Sequence, residues 1–146
     1  MRRFAPLSMP LLISFVLAAG CEDPVGPEFH WVYGTWDWTE ACCAFSGGEL
    51  TPASAGYALR LVLRREDRAE LFRNDSLVVR TRFSIRRRDE SPEGSGSIRF
   101  ETAVDPGWFG FASREFLLVR PDDDVLELTH PHCRDCWGTL TFRRAP

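Results

Sequence analysis

The stretch Gly34-Thr35-Trp36-Asp37-Trp38-Thr39 decides the fold class, because its two large apolar rings lie two residues apart, each flanked by polar residues. In a β-strand, residues that alternate in this way place their side chains on opposite faces. An amphipathic helix would instead need apolar residues three and four positions apart. The stretch therefore predicts a strand with the tryptophans on a buried face.

The same alternation continues through the rest of the chain. We predict further strands at residues 59–63, 68–73, 77–86, 98–101, 113–120, 126–128 and 139–143. Turn signals separate them at residues 66–67, 74–75, 91–94, 105–107 and 121–123, and no helical pattern intervenes. About eight strands in one domain fit an up-and-down barrel or a sandwich.

The cysteines favour the barrel. In a closed meander the first strand pairs antiparallel with the last one, which brings Cys42 and Cys43 beside Cys133 and Cys136. We expect Trp36 opposite Phe142, Trp38 opposite Leu140 and residue 42 opposite residue 136. At least one disulfide should then join the two pairs of cysteines across the seam, with the partners left open.

The N-terminus predicts export. Residues 1–20 combine Arg2 and Arg3 with a short apolar stretch, which is typical of a signal peptide and too short for a membrane span. The following Cys21 comes after Ala18-Ala19-Gly20, which resembles the lipobox of bacterial lipoproteins. The resemblance implies a lipid on Cys21 and anchoring to a membrane of the bacterial cell envelope, facing the periplasm or the cell surface. Residues 21–31 are predicted to be a tether, and residues 32–146 the domain.

The charge balance limits the partners. The chain has a formal net charge of −3, and all 18 of its basic residues are arginine. Loss of Arg2 and Arg3 with the signal peptide would make the chain still more acidic. This balance argues against nucleic acid as a partner.

Several short motifs resemble those of lipocalins, and more closely those of small bacterial lipocalin-like lipoproteins. The resemblance implies a barrel closed at the bottom by a tryptophan packed beneath an arginine from the last strand, here Trp36 after Gly34, with Arg143 or Arg144. We take Arg143 as the closing arginine. The resemblance also implies non-covalent binding of a small apolar ligand. The motifs behind it are Gly34-x-Trp36-x-Trp38, Gly47-Gly48, Thr51-Pro52-x-x-x-Gly56, Phe72-x-Asn74, Cys133-Arg134-Asp135-Cys136 and Phe142-Arg143.

The aromatic residues are the best functional hint in the sequence. Five rings fall at inward positions of the predicted strands, where they either line a ligand cavity or simply fill the barrel: Trp36, Trp38, Phe83, Phe100 and Phe142. The second case would make the chain a structural or protein-interaction lipoprotein. A further aromatic loop, with Trp108, Phe109 and Phe111, is predicted at the rim opposite the tether, which we take as the functional face.

Enzyme and metal motifs are weak. Cys133-x-x-Cys136 has no predicted helix to activate a thiol, and a zinc site formed with His130 or His132 is less expected in an exported chain than disulfides. Nucleophile-elbow, paired-glutamate and phosphate-loop patterns do not occur. We therefore expect no cofactor, no metal and no enzymatic activity.

Overall fold

Antiparallel strands form most of the computed structural model, which describes residues 24–43, 48–88, 95–104, 113–131 and 138–146. The strands are β1 (Gly34–Cys43), β2 (Gly48–Leu50), β3 (Leu59–Arg64), β4 (Arg68–Arg73), β5 (Ser76–Arg87), β6 (Gly96–Val104), β7 (Ser113–Asp122), β8 (Val125–Thr129) and β9 (Thr139–Arg144). The period-two alternation therefore predicted every strand of the barrel.

The sheet closes on itself, since β1 pairs with both β3 and β9 while every intervening strand pairs with its neighbour in sequence. The result is a closed up-and-down barrel of eight strands, as predicted, and not a sandwich. The short β2 pairs with residues 41–43 of β1, beyond residues 34–37 of β1, which pair with β3. We call the end where β1 starts the bottom and the opposite end the top.

The predicted register of the closing pair was wrong by two residues. Trp38 lies opposite Phe142, and Trp36 lies opposite Arg144. A β-bulge then adds Thr39 to β1, so that Ala41 rather than Trp38 faces Leu140, and Cys42 pairs with Thr139. The side chain of Thr39 donates a hydrogen bond to the carbonyl oxygen of Thr141 (3.2 Å) at this point. Such a bulge reverses the inward and outward faces of the strand beyond it.

The folded domain begins before the predicted boundary at residue 32. A 3₁₀ helix (Pro27–Val32) lies at the bottom of the barrel, and its Phe29 and Val32 are buried. Val25 is also buried and forms a parallel bridge to Ile85 of β5. Residues 24–31 therefore pack against the barrel through Val25 and Phe29, which differs from the predicted tether.

One turn of α-helix, α1 (Pro52–Ala55), interrupts the strands, which corrects the prediction of no helix between them. Thr51 and Ser54 form a reciprocal capping box, and Gly56 ends the turn in the left-handed region. The Thr51-Pro52 start and the glycine stop are the local signals that specify it. No helix in the described part of the chain is long and apolar enough to cross a membrane.

The β4–β5 hairpin turns at Asn74 and Asp75, both with positive φ (48° and 63°). Two central residues of this kind define the type I′ turn that matches the twist of a two-residue hairpin. The side chain of Asn74 also accepts a hydrogen bond from the backbone N–H of Ala58 (2.9 Å). Asp75 occupies a position that glycine takes with less strain.

Candidate functional site

The bottom of the barrel is sealed by Trp36 and Arg144. Trp36 is fully buried, and its indole N–H donates to the carbonyl oxygen of Val32 (2.7 Å). The guanidinium carbon of Arg144 lies 4.2 Å from the centre of the Trp36 ring, within the range of a cation–π interaction. The same guanidinium donates to the carbonyl oxygens of Trp31 (2.8 Å) and Tyr33 (3.1 Å). Arg144 therefore links the N-terminal segment to the last strand and packs against the buried ring.

Gly34 is required for this arrangement in two ways. Its φ is 143°, a backbone conformation that residues with a Cβ rarely adopt. A Cβ placed there would lie 2.6 Å from Nη1 of Arg144. Glycine at this position therefore lets the guanidinium approach the backbone.

Arg143 does not take the closing role that we predicted for it. Its side chain is exposed, and its backbone pairs with Asp37 and Val125. Phe142 faces inward opposite Trp38, so the side chain of Arg143 faces outward, whereas Arg144 lies opposite Trp36 and contacts its ring. Neighbouring strand residues point to opposite faces, so only one of the two arginines can reach the ring.

The five predicted interior rings are all buried: Trp36, Trp38, Phe83, Phe100 and Phe142. Phe116 joins them, and successive ring centres lie 6.5 Å apart from Phe83 to Phe100 and 6.1 Å apart from Phe100 to Phe116. A cavity bordered by three of these rings has a volume of only about 20 Å³. It is lined by Leu59, Leu61, Leu71, Phe100, Val104, Phe116, Leu128, Leu140 and Phe142. This space is close to the minimum for one water molecule.

Two carboxylates on the outer wall differ in their electrostatics. Burial of Glu70 opposes its ionisation, but hydrogen bonds from Arg80 (2.8 Å) and Arg64 (3.2 Å) outweigh it and lower the pKa of Glu70. Burial, together with the negative charge of Glu40, raises the pKa of Glu127. On the outer wall, Glu70 of β4 is therefore paired with arginines, whereas Glu40 of β1 and Glu127 of β8 form an acidic region.

Glu49 on β2 belongs to the same acidic region. A hydrogen bond with Glu40 and the negative charge of that residue raise the pKa of Glu49. Among the described residues, however, no group of three or more histidine, cysteine or acidic side chains is arranged to hold a metal ion.

Several predicted site residues lie outside the described part of the chain. They are the lipidation candidate Cys21, the disulfide candidates Cys133 and Cys136, and the rim residues Trp108, Phe109 and Phe111. Of the other cysteines, Cys42 is exposed on β1, and its carbonyl oxygen accepts a hydrogen bond from the backbone N–H of Gly138 (3.3 Å). The predicted bridge across the seam and the predicted rim site remain predictions.

Sequence reasoning missed the residues that seal the bottom from below. Phe29 and Val32 lie three residues apart and follow Pro27, and this is the spacing that places side chains in line on a 3₁₀ helix. Gly96 makes room for Phe29, since a Cβ there would lie 2.9 Å from the ring. The spacing was therefore a usable signal, although proline and acidic residues nearby suggested a tether.

Comparison of the chain with protein-family models, with curated proteins and with solved structures finds no significant match in any of the three. The eight-stranded barrel fits a lipocalin-like fold. Function must therefore be argued from the geometry of this chain.

Proposed function

We propose that the chain is a lipid-anchored, lipocalin-like protein of the bacterial cell envelope, and that it acts by contacting a macromolecular partner through its outer surface. The observation that carries this proposal is the small size, about 20 Å³, of the apolar cavity that the described residues enclose inside the barrel. Pockets for small molecules typically enclose about 300–1,000 Å³. An eight-stranded barrel is also the size that side chains alone can fill.

The closed end of the barrel supports the lipocalin-like part of the proposal. The resemblance implies a tryptophan that packs beneath an arginine from the last strand, and Trp36 lies 4.2 Å from the guanidinium carbon of Arg144. The glycine of the Gly-x-Trp motif has a physical reason here, because Gly34 borders that guanidinium. Support for the lipid anchor comes from the sequence around Cys21.

The anchor is tested by replacing Cys21 with serine. We expect the variant to leave the membrane fraction and to lose incorporation of a labelled fatty acid, while the matched variant Cys42→Ser keeps both properties. A Cys21→Ser protein that stays in the membrane fraction, together with a wild type that carries no lipid, would refute the anchor.

Binding of a small apolar ligand is the second candidate function. It is favoured by one observation, which is that every residue lining the interior cavity is leucine, phenylalanine or valine. An apolar molecule that entered would meet no unpaired polar group there. However, side chains that line this cavity of about 20 Å³ would have to move to make room.

Native mass spectrometry of the protein isolated from its own envelope separates the two functions. A filled barrel predicts the mass of the protein with its covalent lipid and nothing more. A stoichiometric bound apolar molecule would instead support the ligand function. It should be lost in Val104→Phe, which narrows the cavity, and kept in Val78→Ser. Val78 is the matched control because it is an exposed apolar residue on the outer wall.

A further inference from the structure

An arginine groove runs along the outer wall of β5, β6 and β7. It has a volume of about 420 Å³ and is bordered by four arginines and by Pro24. The arginines are Arg82 and Arg86 on β5, Arg99 on β6 and Arg114 on β7. Ser84 lies directly opposite Arg99, so the small serine forms the floor between Arg82 and Arg86.

Among the described residues, most of this positive charge has no carboxylate at ion-pair distance. Arg82 has a carboxylate neighbour in Glu101, at 4.0 Å. Within the described residues, no carboxylate oxygen lies within 4.0 Å of Arg86, Arg99 or Arg114. Glu101 and Glu115 share the wall, and Glu115 is the strand partner of Arg99. Among the described residues of this face, arginines therefore outnumber carboxylates, although the net charge of the chain is negative.

The acidic region lies on the far side of the barrel. In the strand order, β6 is the strand diametrically opposite β1, which carries Glu40. A hydrogen bond with Glu40 and the charge of that residue raise the pKa of Glu49, while burial and then the charge of Glu40 raise the pKa of Glu127. The barrel thus presents one basic wall and one acidic wall, which would orient it beside a charged surface.

The groove also lies next to the attachment point of the N-terminus. Pro24 borders the groove, and its carbonyl oxygen accepts a hydrogen bond from the backbone N–H of Ile85 (2.9 Å). Cys21 precedes Pro24 by three residues, which span at most about 11 Å when fully extended. A lipid on Cys21 would therefore hold this end of the groove close to the headgroups.

We propose that the arginine groove binds the phosphate groups of anionic lipids, so that the β5–β7 wall lies against the membrane and the acidic wall faces away. The proposal rests on the lipid anchor proposed above for Cys21. Guanidinium groups bind phosphate oxygens in a bidentate manner, and basic residues near an anionic membrane each add to the attraction. Stable anchoring commonly combines acyl chains with a basic patch, and the groove supplies the second of these.

The test removes the proposed lipid anchor by replacing Cys21 and measures how strongly the arginine groove binds lipid vesicles. The exported Cys21→Ser chain is mixed with vesicles of phosphatidylcholine, either pure or mixed with phosphatidylglycerol, and the bound fraction is measured by co-sedimentation. We expect binding only to the mixed vesicles, weakened about fivefold for each arginine replaced. Arg86→Gln with Arg99→Gln should then weaken binding about 25-fold. Arg143→Gln, which removes one exposed arginine from β9, should leave it unchanged.

Three outcomes would overturn the proposal. The first is equal binding to both vesicle types. The second is an equal loss of vesicle binding in the groove variant and in Arg143→Gln. The third is binding of inorganic phosphate that depends on the groove arginines and abolishes vesicle binding at millimolar concentration. The last would assign the groove to a free anion instead. The protein tested carries no lipid, so a lack of vesicle binding would not refute lipidation of Cys21. Likewise, a lack of lipid on Cys21 in the wild type would not change the vesicle result.

Discussion

Replacement of Arg144 by methionine should destabilise the barrel far more than the same replacement at Arg143. Arg144 donates hydrogen bonds to the carbonyl oxygens of Trp31 and Tyr33, at 2.8 and 3.1 Å. Hydrogen bonds from a charged donor contribute about 1.5–3 kcal/mol each, and the partial exposure of Arg144 favours the lower end of that range. The cation–π contact with Trp36 adds about 0.5–1 kcal/mol.

These contributions sum to about 3–4 kcal/mol, from which the apolar contact of methionine with the Trp36 ring recovers about 1 kcal/mol. We therefore expect Arg144→Met to lower the free energy of unfolding by about 2–3 kcal/mol. The ion contact between Arg144 and Asp124 (3.6 Å) is left out, because exposed pairs contribute little.

Equilibrium unfolding in urea, followed by tryptophan fluorescence, measures the difference. Arg143→Met is the control, since that side chain is exposed and its loss should change stability by less than about 0.5 kcal/mol. The denaturant dependence should stay the same in both variants, because neither change alters the surface exposed on unfolding. Equal and small losses in the two variants would refute the closing role of Arg144.

Four further predictions can be tested separately. Asp75→Gly should stabilise the chain by about 0.5–1 kcal/mol because glycine relieves the positive φ, whereas Ser76→Gly, in the adjoining strand, should destabilise it, as thermal unfolding would show. The lowered pKa of Glu70 stabilises the folded state above the ordinary value of 4.5, and this stability is lost as the pH falls through the folded-state pKa, so Glu70→Gln should flatten the acid limb of the pH–stability curve. The raised pKa of Glu127 has the opposite sign: stability is lost as the pH rises above 4.5, so Glu127→Gln should be more stable than the wild type at neutral pH. Non-reducing peptide mapping should find at least one bridge from Cys42 or Cys43 to Cys133 or Cys136, and four free thiols would contradict it.

The sequence predicted the two faces of the strands because a strand allows only one alternation of side chains. Leu59, Leu61 and Leu63 illustrate this, since all three are buried while Arg60 and Arg64 between and after them are exposed. Strands and turns alone fitted a barrel or a sandwich, and closure was predicted from the cysteines, because a closed meander brings Cys42 and Cys43 beside Cys133 and Cys136. The faces depend on local periodicity, and the prediction of closure depended on chain connectivity and on the positions of the cysteines.

The register of the closing pair was not predictable in the same way. It depends on the bulge at Thr39, which forms between strands whose sequence separation is about that of the whole domain. The size of the interior cavity could not be predicted either, because alternation identifies which rings point inward but not how closely they pack. The volume of about 20 Å³ depends on how closely the nine side chains that line the cavity pack against one another.

The bulge has a consequence for the cysteines of β1. Without it, Cys42 would continue the inward series of Trp36 and Trp38 and place its sulfur in the apolar interior. With it, Ala41 takes the inward position opposite Leu140, and Cys42 is exposed beside Thr139. A bridge formed from Cys42 would then cross the β1–β9 seam outside the packed interior. Its formation and reduction would leave the interior packing intact, and its contribution to stability would come from restricting the unfolded chain.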